Sequence, residues 1–335
     1  MQLLLTAGLA FVLSTVATRA AIPWLKSQGA LASENQRTMH RGLIPKGGGI
    51  PLLAAAAVAV FAAMPLPPAT PDWLIVGTAA LFAALISWRD DLGHLSAFIR
   101  LPAHLGIAAL VLSKLDPGTL VFHDLLPLWA DRVAATVALA WMMNLYNFMD
   151  GINGLAGSET ISISLGYLLI AAVAGIALPY APLAAALLGA AAGFLIWNAR
   201  TAPLLFLGDV GSVPLGLLTG VLLLDLAQRG LWAAALILPA YFLADATLTL
   251  VLRILRGEIP WEAHRSHAYQ RAATALNSHL AVVGIIAVAN ALLIAAALFS
   301  VSNPVTGLIA AAMIVTGLIA YLNRAAKVRS SGTGS

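Results

Sequence analysis

Long apolar runs decide what this chain can become. About eleven of them, near 2–25, 48–64, 73–88, 101–113, 132–148, 158–177, 183–199, 211–226, 231–250, 279–300 and 305–323, approach the length a helix needs to cross roughly 30 Å of hydrocarbon. With 61% hydrophobic and only 10% charged residues, the chain lacks the polar surface of a water-soluble domain, in which about a quarter of residues are charged. The expected fold class is all-α: a polytopic membrane helix bundle with about eleven transmembrane helices. The absence of cysteine excludes disulfides and thiolate metal sites.

Charge orients the bundle. If the N-terminus lies outside, the loops after odd-numbered runs and the tail carry 14 of the 18 Lys and Arg: Lys26, Arg37, Arg41, Lys46, Arg89, Arg100, Arg200, Arg253, Arg256, Arg265, Arg271, Arg324, Lys327 and Arg329. The opposite side has Lys114, Arg132 and Arg229, and Arg19 falls within the first run. That bias places the C-terminus in the cytoplasm. The first run, MQLLLTAGLAFVLSTVATRAA, has no base ahead of it and bases behind it, the reverse of a secretory signal, so it is expected to remain as a helix. Residues 1–329 read as one integral membrane domain, PLPPATPD at 65–72 as an outside turn, and SSGTGS at 330–335 as a flexible tail.

The polar residues are unevenly shared between the two faces. Asp90 and Asp91 follow the third run, Asp150 follows the fifth, Asp209 precedes the eighth, and His264 and His267 come after the ninth, all on the basic side. The other side holds Asp72, Asp116, Asp124 and Asp131, without glycine clusters or paired acids. Such asymmetry fits an enzyme working at one membrane face. In SWRDDLG two adjacent carboxylates repel each other unless a cation or metal joins them; the plainer account is a solvated loop start beside Arg89. In FLGDVGS, Asp209 lies between Gly208 and Gly211. It reads either as an N-cap, worth about 1 kcal/mol, or as a residue whose small neighbours let a phosphate or metal approach a helix N-terminus.

In NLYNFMDGINGLAG, Asn144, Asn147 and Asp150 are spaced by three and form one polar stripe at the end of the fifth run. Buried polar groups cost several kcal/mol unless partnered, so the stripe points to water or a ligand. Gly151, Gly154 and Gly157 are expected to end that helix and turn the chain back. RILRGEIPWEAHRSHAYQR combines four arginines with His264, His267, Trp261 and Tyr269, which suits phosphate contact or, more plainly, a basic loop against anionic lipid. NQRTMHRGLIPKGGGIP is also basic and ends in a triple glycine, but it is no Walker loop, because Gly47 precedes Gly48 and not Lys-Ser or Lys-Thr.

Taken in order, HRGLIPKGGGIP, Asp90-Asp91, NLYNFMDGINGLAG, FLGDVGS and HRSHAYQ resemble the motifs of the polyprenyl-phosphate N-acetylhexosamine-1-phosphate transferases, of glycosyltransferase family 4 type, over most of the chain. HRSH stands where the peptidoglycan lipid I translocases carry consecutive histidines, and looks more like the branch that initiates O-antigen and other surface glycans. The resemblance implies transfer of N-acetylhexosamine 1-phosphate from a UDP-sugar to undecaprenyl phosphate. UMP is released, at the cytoplasmic face of the bacterial inner membrane, in lipopolysaccharide or related cell-wall biogenesis. It implies Mg²⁺, with Mn²⁺ as a substitute, held by Asp209 and Asn147. It also implies Asp90, Asp91 and Asp150 as catalytic residues, and Lys46, Asn147, Gly151, Asn153, His264, Arg265 and His267 as substrate contacts. N-acetylglucosamine is the commonest donor in the family; N-acetylfucosamine and N-acetylquinovosamine stay open. A homodimer fits the family, and nucleic acid is not a partner.

The residues support that chemistry independently. Two phosphorylated substrates must be held together, and oxygen-ligated Mg²⁺ beside Asp209 with a ring of Arg, Lys and His supplies the charge. Phosphoryl transfer rests mostly on positioning. The acceptor's second pKa is about 6, so near neutral pH Asp90 or Asp91 is expected to position it rather than deprotonate it. A two-step route through a phosphosugar-aspartate is the alternative. The rival class is a secondary transporter coupling ions through the intramembrane acids Asp225 and Asp245. Against it, most acids lie at helix ends and not at mid-membrane.

Overall fold

A computed structural model describes residues 1–32, 44–63, 72–93, 95–113, 120–123, 125–259 and 264–332. The readings made above of Arg37, His40, Arg41, 65–71, Lys114, Asp116, Asp124 and Trp261 fall outside them. The described residues form α1 (Gln2–Ser27), α2 (Gly49–Ala63), α3 (Asp72–Gly93), α4 (Ala97–Leu112), α5 (Leu128–Met149), α6 (Leu155–Ala174) and α7 (Ala181–Asn198). The chain continues through α8 (Asp209–Gln228), α9 (Trp232–Ile237), α10 (Ala240–Leu255), α11 (Ala268–Leu276), α12 (His279–Ser300) and α13 (Pro304–Gly332). A short antiparallel pair, β1 (Leu31–Ala32) with β2 (Ile44–Pro45), is the sheet seen among them.

The molecule is a helical membrane bundle. Every apolar run has helix at its place, and α1, α3, α6, α7, α8, α12 and α13 are long and apolar enough to cross a membrane. The ninth run differs from expectation, because it is two helices and not one. The chain breaks between Leu238 and Pro239, and Pro239 caps α10. Proline has no N–H to continue the ladder of α9 and its ring collides with the preceding turn. The loop after that run also differs, containing the amphipathic α11.

Small residues set how closely the helices approach, as expected where lipid supplies no hydrophobic drive between helices. In α7, Gly189 and Gly193 lie against the backbone of α1 at Ala7 and Phe11. In α8, Gly216 and Gly220 are spaced the same way and lie against Met142 and Leu139 of α5. α8 is buried along nearly its whole length and is the axis of the bundle.

The site end of the bundle depends on a closer approach still. Gly48 N–H donates to Phe206 O at 2.9 Å, Gly49 N–H to Leu207 O at 2.9 Å, and Phe206 N–H to Pro45 O at 2.9 Å. The start of α2 is thereby laced to the segment leading into α8. A Cβ on Gly49 would fall on the Gly211 backbone, and one on Gly48 would stand 2.6 Å from Phe194 and 3.0 Å from Phe206 O. The triple glycine thus lets two helix N-termini meet backbone to backbone. Gly49→Ala is expected to cost about 1–3 kcal/mol through forced overpacking and to lower the thermal midpoint in detergent. Gly106→Ala in α4, where nothing stands within 4 Å, should leave that midpoint unchanged or raise it.

Candidate active site

Five elements bring the polar motifs to one end of the bundle. β2 carries Lys46 just beyond its end, α3 carries Asp90 and Asp91 in its last turn, α5 ends at Asp150, α8 begins at Asp209, and α11 follows His267. The adjacent carboxylates of α3 do not share a partner. Asp90 takes Arg100 Nη1 at 2.8 Å and the Leu95 N–H, while Asp91 accepts the Val210 N–H at 3.0 Å and lies 3.8 Å from Lys46 Nζ. Each charge has its own cation, so the repulsion foreseen from their adjacency is relieved twice over.

Asp91 also settles what Asp209 does structurally. The cap position of α8 is Gly208, at φ +75°, and the N–H of Val210 is satisfied by Asp91 from another helix. Asp209 is the first helical residue and not the cap. Its carboxylate, 31% exposed, faces Arg100 Nη1 at 3.8 Å, and Asn147 of α5 hydrogen-bonds to it. Asn147 Nδ2 also lies 3.3 Å from the Ser212 hydroxyl. Arg100, unremarked as a site residue in the sequence, therefore sits between Asp90 and Asp209. A signal for it existed: a cation in the first turn of a helix opposes the helix dipole and calls for anions nearby.

The stripe on α5 divides between neighbours. Asn144 Oδ1 meets His104 Nδ1 of α4 at 3.2 Å, Asn147 turns to α8, and Asp150 ends the helix. Asp150 is partly buried. Burial, then the charges of Asp209 and Asp91, hold its carboxyl well above the usual carboxylate range, against the opposing pull of Lys46.

The glycines that follow do not all make the turn. Gly154, at φ +89°, is the left-handed residue that starts α6, its N–H donating to Asn198 Oδ1 at 2.7 Å. Gly157 lies inside α6 and makes room for Leu195. Gly151 has the Tyr269 hydroxyl where a Cβ would go, so the space beside it is taken by α11. Asn153 is 3% exposed and turned inward, its Nδ2 donating to Arg200 O at 3.3 Å and its N–H pointing at His279 Nδ1 at 3.4 Å.

The histidine segment forms a ladder of rings. His264 lies 5.0 Å from His267, which stacks on Tyr269 at 5.6 Å. His267 is 3% exposed, whereas His264 and Arg265 are half-buried. The Tyr269 hydroxyl donates to Phe148 O at 2.8 Å, tying the ladder to the end of α5. The ladder thus joins the 151–153 loop through Tyr269, while Lys46, Asp90, Asp91, Arg100, Asn147 and Asp209 form a separate, directly connected cluster.

A groove of about 380 Å³ opens from that cluster. Asp90, Arg100, Asn147 and Asp209 line its polar end, and Ile86, Leu101, Leu105, Val137, Trp141 and Val213 its apolar remainder. Among the described residues no group of three His, Cys, Asp or Glu side chains could hold a metal unaided. The donors present are hard oxygens, from one carboxylate and one amide, which suits a Mg²⁺ ion completed by substrate phosphate oxygens and water. The two acids of the transporter alternative are engaged elsewhere. Asp225 accepts from Tyr167 Oη at 2.6 Å and Arg229 Nε at 3.0 Å, and Asp245 takes donors from α10 and α11.

A polytopic bundle whose face gathers acids, bases and helix N-termini beside an apolar groove is that of a membrane-embedded phosphotransferase. The chain belongs to glycosyl transferase family 4, the polyprenyl-phosphate sugar-phosphate transferases, whose family model matches residues 73–227. It is similar to the phospho-N-acetylmuramoyl-pentapeptide-transferase of Chlamydia trachomatis serovar L2, 31% identical over 237 residues, which are 60% of this chain and 68% of that one. The enzyme of the same name from Heliobacterium modesticaldum is 36% identical over 152 residues, 43% of this chain and 44% of its own, and that from Chlamydia abortus is 28% identical over 251 residues, 64% and 71%.

The raised affinity of Asp150 for its proton has a sign that can be tested. Below the usual value of 3.8, folded and unfolded chains are both protonated there. Above it the unfolded carboxyl ionises while the folded one keeps its proton, so stability falls as pH rises until the folded group ionises too. Asp150→Asn removes that loss. In chelator and without nucleotide, its thermal midpoint should exceed that of the wild type by a margin that widens above pH 4, at up to about 1.4 kcal/mol per pH unit. Parallel curves for the two proteins would show that Asp150 is not shifted.

Proposed function

We propose that the protein transfers an N-acetylhexosamine 1-phosphate from a UDP-sugar to a polyprenyl phosphate, releasing UMP, at the cytoplasmic face of the membrane. The observation that carries this reading is the groove, apolar along its length and closed at one end by Asp90, Arg100, Asn147 and Asp209. A polyprenyl tail matches the apolar part and its phosphate the guanidinium. Asp90 acts by orienting Arg100, whose forked donors suit a phosphate. Lys46 and the N-terminus of α8 face the donor diphosphate, where the lysine charge and the helix dipole favour anions. Asp91 fixes the start of that helix and keeps Lys46 at hand.

Asp209 and Asn147 are the residues that would hold a Mg²⁺ ion, which supplies charge neutralisation for the diphosphate when bound. An oxygen of the lipid phosphate attacks the donor's β-phosphorus, the bond to the UMP oxygen breaks, and the new diphosphate joins lipid to sugar. With a dianionic acceptor no proton has to move, so Asp90 and Asp91 serve by position. His264 and Arg265 approach the donor from the α11 side, and Gly151 and Asn153 shape the loop between.

A second reading of the donor has its own support in the names of the relatives: a UDP-linked N-acetylmuramoyl-pentapeptide in place of an unmodified N-acetylhexosamine. HRSH favours the first, with products in O-antigen or related surface-glycan synthesis. The experiment is a panel of radiolabelled UDP-sugars, the muramoyl-pentapeptide among them, with undecaprenyl phosphate and Mg²⁺, scored for organic-extractable product and UMP. A membrane scaffold would give neither.

The metal assignment rests on Asp209 and has a clean variant. Asp209→Asn keeps an oxygen donor and the shape of the first turn but loses the charge. Because Asp91 supplies the cap, that substitution should hardly move the thermal midpoint, yet activity should fall by about a hundredfold or more. Mg²⁺ or Mn²⁺ binding that depends on UDP-sugar, measured by calorimetry, should vanish as well. An active Asp209→Asn protein with ordinary metal dependence would sink the assignment.

A further inference from the structure

Asp245 has no part in the chemistry proposed above, yet it is a carboxylate in the membrane bundle, 3% exposed, on which five groups converge. Its Oδ1 accepts from the Thr249 hydroxyl at 3.2 Å and the Ala268 N–H at 3.0 Å, with His267 Nδ1 at 3.6 Å. Its Oδ2 accepts from the Tyr241 hydroxyl at 3.0 Å and the Tyr269 N–H at 3.3 Å. Ala268 and Tyr269 open α11, so their N–H groups are the donors a helix start leaves unpaired. His267 occupies the cap position and offers no side-chain cap of its own. The cap comes instead from α10, across the loop that carries HRSH.

Two consequences run outward from that junction. On one side the His267 ring, facing the carboxylate, stacks on Tyr269 and lies 5.0 Å from His264. On the other, Tyr269 reaches Phe148 O at 2.8 Å and fills the space beside Gly151. One buried carboxylate therefore sets the register between the histidine segment and the loop after α5. We propose that Asp245 is a positioning residue for the donor: it touches no substrate but locks His264 and the loop of residues 150–153 into two walls of a single nucleotide-sugar site. The proposal rests on reading that site as the donor site.

The test uses the full-length protein in detergent, undecaprenyl phosphate, Mg²⁺ and whichever UDP-sugar of the panel the wild type turns over. Asp245→Asn keeps one acceptor oxygen for α11 and loses the charge facing His267. Its donor KM should rise about tenfold or more, as a misplacement of about 1 Å can cause, while the KM for undecaprenyl phosphate stays within about twofold. In an Asp245→Asn/His264→Ala double variant the rise in donor KM should be less than the product of the two single rises, because the carboxylate acts in part through that ring. Tyr269→Phe keeps the backbone cap and removes the hydroxyl that bonds Phe148 O, the Gly151 backbone and the Gln270 side chain. It should raise the donor KM while the KM for undecaprenyl phosphate stays within about twofold, and it carries the test if Asp245→Asn does not fold. Unchanged donor KM in Tyr269→Phe, or a lowered midpoint with additive losses in the double variant, would overturn the positioning role. A wild type that turns over no UDP-sugar would remove the donor reading and this proposal with it, whereas an active wild type with unaltered variants removes this proposal alone.

Discussion

The site is governed by a problem of like charge. Asp90, Asp91, Asp150 and Asp209 gather at one end of a bundle from which water is largely excluded, and ionised carboxylates that close together raise one another's energy. The answer is a set of counter-charges, each placed by backbone geometry. Arg100 stands between Asp90 and Asp209, Lys46 faces Asp91, and the N-terminus of α8 adds its dipole. What is left over is Asp209, open to the groove, and a proton-hungry Asp150. Such a site is suited to a divalent cation arriving with a phosphorylated ligand, since each completes the other's surroundings.

That balance is only possible because glycine removes side chains at the crossing of α2 and α8. Lys46 reaches Asp91 from a segment that pairs with the backbone of 206–207, and the pairing needs Gly48 and Gly49 to come within contact of Phe206 and Gly211. KGGG and FLGDVG are therefore two halves of one structural device, although they stand some 160 residues apart. The apolar bundle and the polar site meet there. A bulkier residue at Gly49 would move a lysine as well as a helix.

Much of this was legible in the sequence, for reasons that differ by element. Apolar length foretold helix at all eleven places, because a backbone inside lipid must satisfy itself. Pro239 was visible in the ninth run, but its break was not, since Pro102 and Pro214 lie within unbroken α4 and α8. The site acids stood out because charge at the end of an apolar run is costly and hence conspicuous. Arg100 escaped notice among fourteen bases on that side; only the fold shows two carboxylates within reach of it. Gly151 and Gly154 lie in the turn as the sequence suggests, but Gly157 lies inside α6, because a glycine kept for a neighbour's sake looks the same in sequence as one kept for its φ angle.

The aspartates finally separate into two kinds, and what separates them is how their lone pairs are used. Asp131 accepts the N–H groups of Val121 and Phe122, Asp245 those of Ala268 and Tyr269, and Asp91 that of Val210. Asp91 and Asp245 are fastened to helix starts distant in sequence and fix the register of helices that lipid would let slide, while Asp131 fastens the loop just ahead of its own helix. Asp209 is used otherwise. Its neighbours are the side chains of Arg100 and Asn147, groups that can turn, and it keeps almost a third of its side-chain surface open. A carboxylate held by side chains at the mouth of a groove can exchange partners when a ligand enters, and one held by backbone N–H groups cannot without unwinding a helix end. On that ground we assign Asp209 to the proposed chemistry and Asp245 to the frame proposed to aim it, even though both are acids in an otherwise apolar chain.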